Sequence, residues 1–180
     1  MMSLITKYLS NNQFNKGELL YKSIFKSSFV KEEVITKAFK HFITAASNNH
    51  TTSQLRVYQL YRMCCTDLVV CYVSKEDSIV WLTRSAMSGN SDAQCLLGQL
   101  YMDCEIDVEN RYKLAYEWFD KSQTIKSFVN QGHMLYYGLN GHRCRQSAFK
   151  KYNIALQMGW IDNKGLVESM FDEDYIHYVI

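Results

Sequence analysis

His133, His142 and Cys144 are the only compact ligand-like group among the histidines and cysteines of the sequence. Their spacing, His-x8-His-x-Cys, matches no structural zinc pattern, so no metal is expected there. Cys64 and Cys71 fall seven apart, on one helical face, with Cys65 between them. No histidine or other base neighbours them in sequence to favour a thiolate, so they read as core residues. The run Asp103, Glu105, Asp107, Glu109 alternates with Cys104, Ile106 and Val108. It lacks the glycine and closing glutamate of a calcium loop. A solvated loop is expected, with an acidic patch facing a partner as the alternative. No CxxC pair and no glycine-rich phosphate loop occurs. No catalytic residue and no cofactor is assigned from these motifs.

Those side chains must be carried by helices. The chain has 180 residues, none of them proline, where ordinary usage gives about nine. Glycine is also scarce, at 8. Sandwiches and barrels need many turns, and turns lean on proline and glycine. One all-α domain spanning 1–180 is therefore expected. Twenty basic residues against 18 acidic ones leave a net charge of +2, too balanced to make nucleic acid the default partner. No basic stripe interleaves with the aromatic residues, which again argues against nucleic acid. The longest apolar cluster, Leu68 to Val73, is far short of a membrane span. With no signal-peptide pattern at the N-terminus, a cytoplasmic protein with reduced thiols is expected.

A repeat organises most of the chain. Its clearest copy reads Trp81-Leu82, Ser85-Ala86, Gly89, Ala93, Leu97-Gly98, Tyr101. A second reads Ala115, Trp118-Phe119, Lys121-Ser122, Gly132, Gly138. A third reads Ala148, Lys151-Tyr152, Ala155, Gly159. Gly98 and Gly132 lie 34 residues apart, as Ala115 and Ala148 lie 33 apart. An earlier, degenerate copy runs through Lys37-Ala38, His41-Phe42 and Ala45-Ala46, with His41 at the tryptophan position. The repeats are expected at about 18–48, 52–88, 91–125 and 127–159, with a cap at 163–180. Glycine inside a helix costs about 1 kcal/mol against alanine, so Gly98 and Gly132 mark close helix approaches. Trp81 and Trp118 are expected to fill the neighbouring gaps.

The pattern Ala-x-x-Trp-Phe/Leu-x-Lys/Arg-Ser/Ala-Ala, then Gly, then Leu-Gly-x-x-Tyr, resembles Sel-one-like repeats, relatives of the tetratricopeptide repeat. The resemblance covers about 140 of the 180 residues by the proposed units. It is strongest over Ser78 to Tyr101 and weakest before Ala46. It implies a right-handed α-solenoid of about four irregular helix-turn-helix repeats. It also implies a non-enzymatic protein-protein interaction module, because such repeats mostly serve as adaptors or scaffolds. The family's Gly-x-Gly loop is missing at Asp103 to Ile106 and survives only partly at Gly138 to Gly141.

In a solenoid the first helix of each pair lines a concave wall. The register places Arg56, Gln59 and Arg62 there, then Leu96, Gln99 and Asp103, then Asn130, His133 and Tyr137. Their amides, charges and rings suit a polar, hydrogen-bonding interface. Residues 1–50 carry seven lysines and three acids, whereas 151–180 carry two lysines and five acids. The specific expectation is an immunity protein that neutralises a cognate bacterial toxin. This version rests on the resemblance, since such repeat genes often accompany toxin genes. The alternative is an adaptor in signalling or secretion. A small hydrolase or thiol enzyme is the competing class, and it lacks a recognisable site.

Overall fold

The computed structural model describes residues 2–26, 32–66, 73–162, 165 and 167. Those residues form eight helices: α1 (Met2–Ile24), α2 (Glu32–Ser47), α3 (Thr51–Thr66), α4 (Lys75–Met87), α5 (Ser91–Met102), α6 (Arg111–Ser122), α7 (Ile125–Tyr137) and α8 (Arg145–Gln157). The described residues contain no strand. The chain divides into two compact units, Met1–Ala93 and Gln94–Ile180. The expected cap at 163–180 lies outside the described residues, apart from Gly165 and Val167. Cys71 and the side chain of Cys65 also lie outside the described residues, while Cys64 and Cys95 are buried, Cys104 is exposed and Cys144 is half-buried.

The first unit follows from amphipathic spacing. Along α2, Ile35, Ala38, Phe39, Phe42, Ala45 and Ala46 are buried, a single stripe at three- and four-residue steps. Glu32 and Glu33 occupy the first turn of α2, where acids favour the helix dipole. The stripe packs with Ile24 of α1 and with Val57, Leu60 and Cys64 of α3. The sequence pattern started the first unit near residue 18, but α1 begins at Met2. Its first turns escaped notice because their apolar side faces outward. Leu4, Ile5, Tyr8 and Leu9 are each more than half exposed.

In the second unit Cys95, Ala115, Phe119 and Met134 form one buried cluster, and Ala148, Tyr152 and Val167 form another. Both glycines read from the repeat sit against rings. A Cβ on Gly98 would lie 2.8 Å from Phe119 Cε1 and 3.1 Å from the Ala115 carbonyl oxygen. A Cβ on Gly132 would lie 2.6 Å from Tyr152 Cε1. The first unit repeats the device, with Gly17 placed 2.7 Å from Phe42 Cε1 by the same construction. The rings that fill these gaps are therefore Phe42, Phe119 and Tyr152, not the tryptophans. Each stands one residue after the tryptophan position, which turns it about 100° around the helix. Trp81 and Trp118 are only half-buried, with Arg84 and Lys121 lying over their faces at 4.8 and 4.3 Å. Where the pattern calls for a glycine at 58, the chain has buried Tyr58, and the matching ring position holds the smaller, buried Leu82. The bulk has moved from one helix of the pair to the other, which conserves volume.

The helix starts are capped by different chemistry at equivalent places. Asn90 Oδ1 accepts from Ala93 N–H at 2.9 Å. Thr124 and Ser127 make a reciprocal capping box at the start of α7. At the start of α3 the acceptor is an imidazole: Ser53 N–H donates to His50 Nδ1 at 3.2 Å, and Ser53 Oγ lies 2.9 Å from the same nitrogen. Phe14 of α1 packs on that ring at 4.5 Å. Burial holds the His50 pKa below its ordinary value, so the fold favours the neutral ring. The stability that His50 contributes is therefore complete above the unfolded pKa of 6.5 and is lost as pH falls through the lower folded value. Thermal melts between pH 7.5 and 5 should show this loss, and His50→Asn, which keeps a capping oxygen, should flatten it. His41 is shifted the same way, by burial first and by Lys16 second, so a residual slope should persist in that variant.

After α8, Trp160 stacks on Tyr152 at 5.7 Å with 20° between the planes. Ile161 beside it is 73% exposed.

Candidate functional site

The nine inner-face candidates fall on three helices and meet different environments. In the first unit, Arg56 of α3 is not a free surface group. Its guanidinium pairs with the Glu18 carboxylate of α1 through Nε, and through Nη2 at 3.3 Å. Nη1 donates to Gln59 Oε1 at 2.6 Å, and the group lies 4.7 Å from the centre of the Tyr21 ring. The side chains of Arg56 and Glu18 are 25% and 14% exposed, so the pair is largely withdrawn from water. Arg56 and Gln59 are thus brought together and tied to α1. Burial pushes the Tyr21 phenol up, opposed by Arg56. Arg62 stands apart, exposed, with Nη1 3.4 Å from Tyr58 Oη.

In the second unit, α5 carries Leu96 and Gln99 half-buried and Asp103 exposed just past its end. On α7, Asn130 is buried and its Nδ2 has no hydrogen-bond partner. The interior takes this amide at a position that the register places on the wall. His133 is half-buried, its ring set edge-on to Tyr152 at 5.6 Å. Tyr137 is 65% exposed and meets the edge of Tyr136, at 5.1 Å and 87°. The open members of the set are therefore Arg62 in the first unit and Asp103 and Tyr137 in the second.

Pattern reading passed over a junction built around Lys151. Its Nζ lies 3.7 Å from Asp120 Oδ1 and within 6 Å of the Tyr116 and Phe128 ring centres. Gln131 Nε2 donates to the same Asp120 oxygen at 3.2 Å. One carboxylate thus joins α6, α7 and α8. The only sequence signal was a lysine where the other repeats carry an aromatic ring.

Among the described residues, the titratable groups named in the sequence lie apart. His133 lies against Tyr152, while His142 is exposed in the α7–α8 loop. Cys144 is the residue before α8, with Sγ 3.0 Å from Ser147 Oγ. That hydrogen bond lowers the thiol pKa, helped by backbone donors and Lys150. Among the described residues, no three histidine, cysteine, aspartate or glutamate side chains are grouped to hold a metal ion. In the acidic loop, Cys104 takes a left-handed φ of 62° and its sulfur accepts from Arg111 Nη1 at 2.7 Å. Arg111 thus partly neutralises a run that the sequence alone shows as acid.

Antiparallel helices seated glycine against ring, with period-related caps, define a helical-repeat protein. The fold is that of the Sel1 repeat, the Sel-one-like unit read from the sequence. A crystal structure of c5321, a protective antigen present in uropathogenic Escherichia coli strains displaying an SLR fold, is similar with a TM-score of 0.69 and 25% identity. The match covers 84% of this chain and 31% of that one. A Sel1 repeat protein from Oxalobacter formigenes is similar with a TM-score of 0.67 and 21% identity, over 83% of this chain and 60% of that one. The chain thus spans between about a third and three-fifths of the length of these two neighbours. No family model and no curated protein matches the sequence. No helix among the described residues is long and apolar enough to cross a membrane.

Proposed function

We propose that the chain is a non-enzymatic protein-binding module of the cytoplasm, and that its partner is a toxin or effector protein which it neutralises. The observation that carries this reading is Tyr137, a large aromatic ring left 65% exposed at the end of α7. Aromatic residues of that kind anchor protein interfaces. Exposed Asp103 offers a charged acceptor on α5's end, and Gln99 an amide one turn before it. The small helical-repeat fold supports binding to a protein surface.

Co-expression tests the toxin version directly. The chain should form a stable complex with a toxic protein encoded beside it and restore growth to cells making that protein. Binding without relief of toxicity would fit an adaptor in signalling or secretion instead. Absence of both would remove the immunity reading.

A further inference from the structure

The first two and a half turns of α1 are amphipathic the wrong way round for a packed helix. Ser3, Thr6, Lys7, Ser10 and Asn11 recur at three- and four-residue steps and face the turn between α2 and α3. Between them and that turn lies a cavity of about 590 Å³, in the size range of small-molecule sites. Its opposite wall is Asn48, Asn49 and His50, followed by the first two residues of α3, Thr51 and Thr52. Among the described residues that line it, every side chain is polar, Lys7 is the one cation, and none is a carboxylate.

The turn itself is built unusually. Asn49 holds a left-handed φ of 60°, where Gly89 holds the matching place after α4 with φ 88°. Asparagine tolerates that region less well than glycine, so the chain keeps an amide there at some cost in backbone energy. His50 uses Nδ1 as an acceptor for Ser53, which leaves the proton of the neutral ring on Nε2, a donor. The carbonyls that close α2 are already occupied. Ala45 O accepts from Ser10 Oγ at 3.2 Å and from the amides of Asn48 and His50, and Thr44 O accepts from Asn48 Nδ2. What the cavity offers an anion is the Lys7 ammonium and the leading N–H groups of a 16-residue helix with no acid in its first turn, beside amides and hydroxyls that can donate or accept.

We propose that this cavity binds a small anionic metabolite through its carboxylate or phosphate group, with Lys7 as the charged contact and Asn49 as the turn's contribution. The site lies wholly within the first unit and does not depend on the proposed partner face. Inorganic phosphate and acetate are the probes, with glucose as the neutral control. Amide NMR of the full chain should show saturable shifts confined to residues 3–11 and 48–52 for at least one anion and none for glucose. Lys7→Gln should weaken that binding about tenfold, as expected for loss of a charge-assisted contact, while Lys16→Gln leaves it unchanged. Asn49→Gly should weaken binding while melting at the same temperature or higher, because glycine suits the turn better. Shifts that do not saturate, equal binding of glucose, or unchanged affinity in Lys7→Gln would overturn the proposal.

Discussion

Phe119→Ala lowers the unfolding free energy by about 3–5 kcal/mol, the range for emptying a fully buried phenylalanine site. The ring is the counterpart of Gly98, and a Cβ on that glycine would stand 2.8 Å from its edge. Gly98→Leu alone costs roughly 2–3 kcal/mol by overpacking, since the Ala115 carbonyl behind the ring cannot yield. The two changes are not additive. In the Phe119→Ala background the leucine enters the space the ring vacated, and the double variant recovers about 1–3 kcal/mol of the summed loss. Denaturant unfolding of the four proteins, followed by tryptophan fluorescence, measures the coupling. Strict additivity would mean that Gly98 and Phe119 do not share one contact.

The second large effect belongs to Arg56. Arg56→Ala leaves Glu18, whose side chain is 14% exposed, without its cation. Removing one partner of a buried pair costs about 3–5 kcal/mol, and partial exposure here brings the expected loss to about 2–3 kcal/mol. Most of that is the penalty on the stranded carboxylate, not the worth of the pair. Arg56→Met with Glu18→Gln, which strands no charge, should therefore recover most of the loss in a thermal or denaturant melt. Equal instability of single and double variants would show that packing on Tyr21, 4.7 Å away, carries the interaction.

These two sites show what sequence makes legible. Gly98 and Gly132 stood out because a glycine inside a helical pattern is costly and the interval of 34 repeats. The rings they accommodate were misplaced by one residue. Tryptophan is the larger and more conspicuous side chain, yet its neighbour points at the facing helix. The first turns of α1 escaped because Leu4, Ile5, Tyr8 and Leu9 face solvent, so their pattern carried no core signal. Glu18 lay inside the expected first unit, but nothing in its spacing showed that it meets Arg56. A register position says which side of a helix a residue occupies. It does not say whether another element covers that side, and that is why buried Asn130 and exposed Tyr137 looked alike in sequence.

The most direct measurement is the affinity of the isolated partner complex for wild-type chain and for Asp103→Ala with Tyr137→Ala. Both residues are exposed, unlike His133, whose ring packs on Tyr152. The account predicts at least about tenfold weaker binding by calorimetry, with the melting temperature unchanged. Undiminished affinity in a folded variant would contradict it.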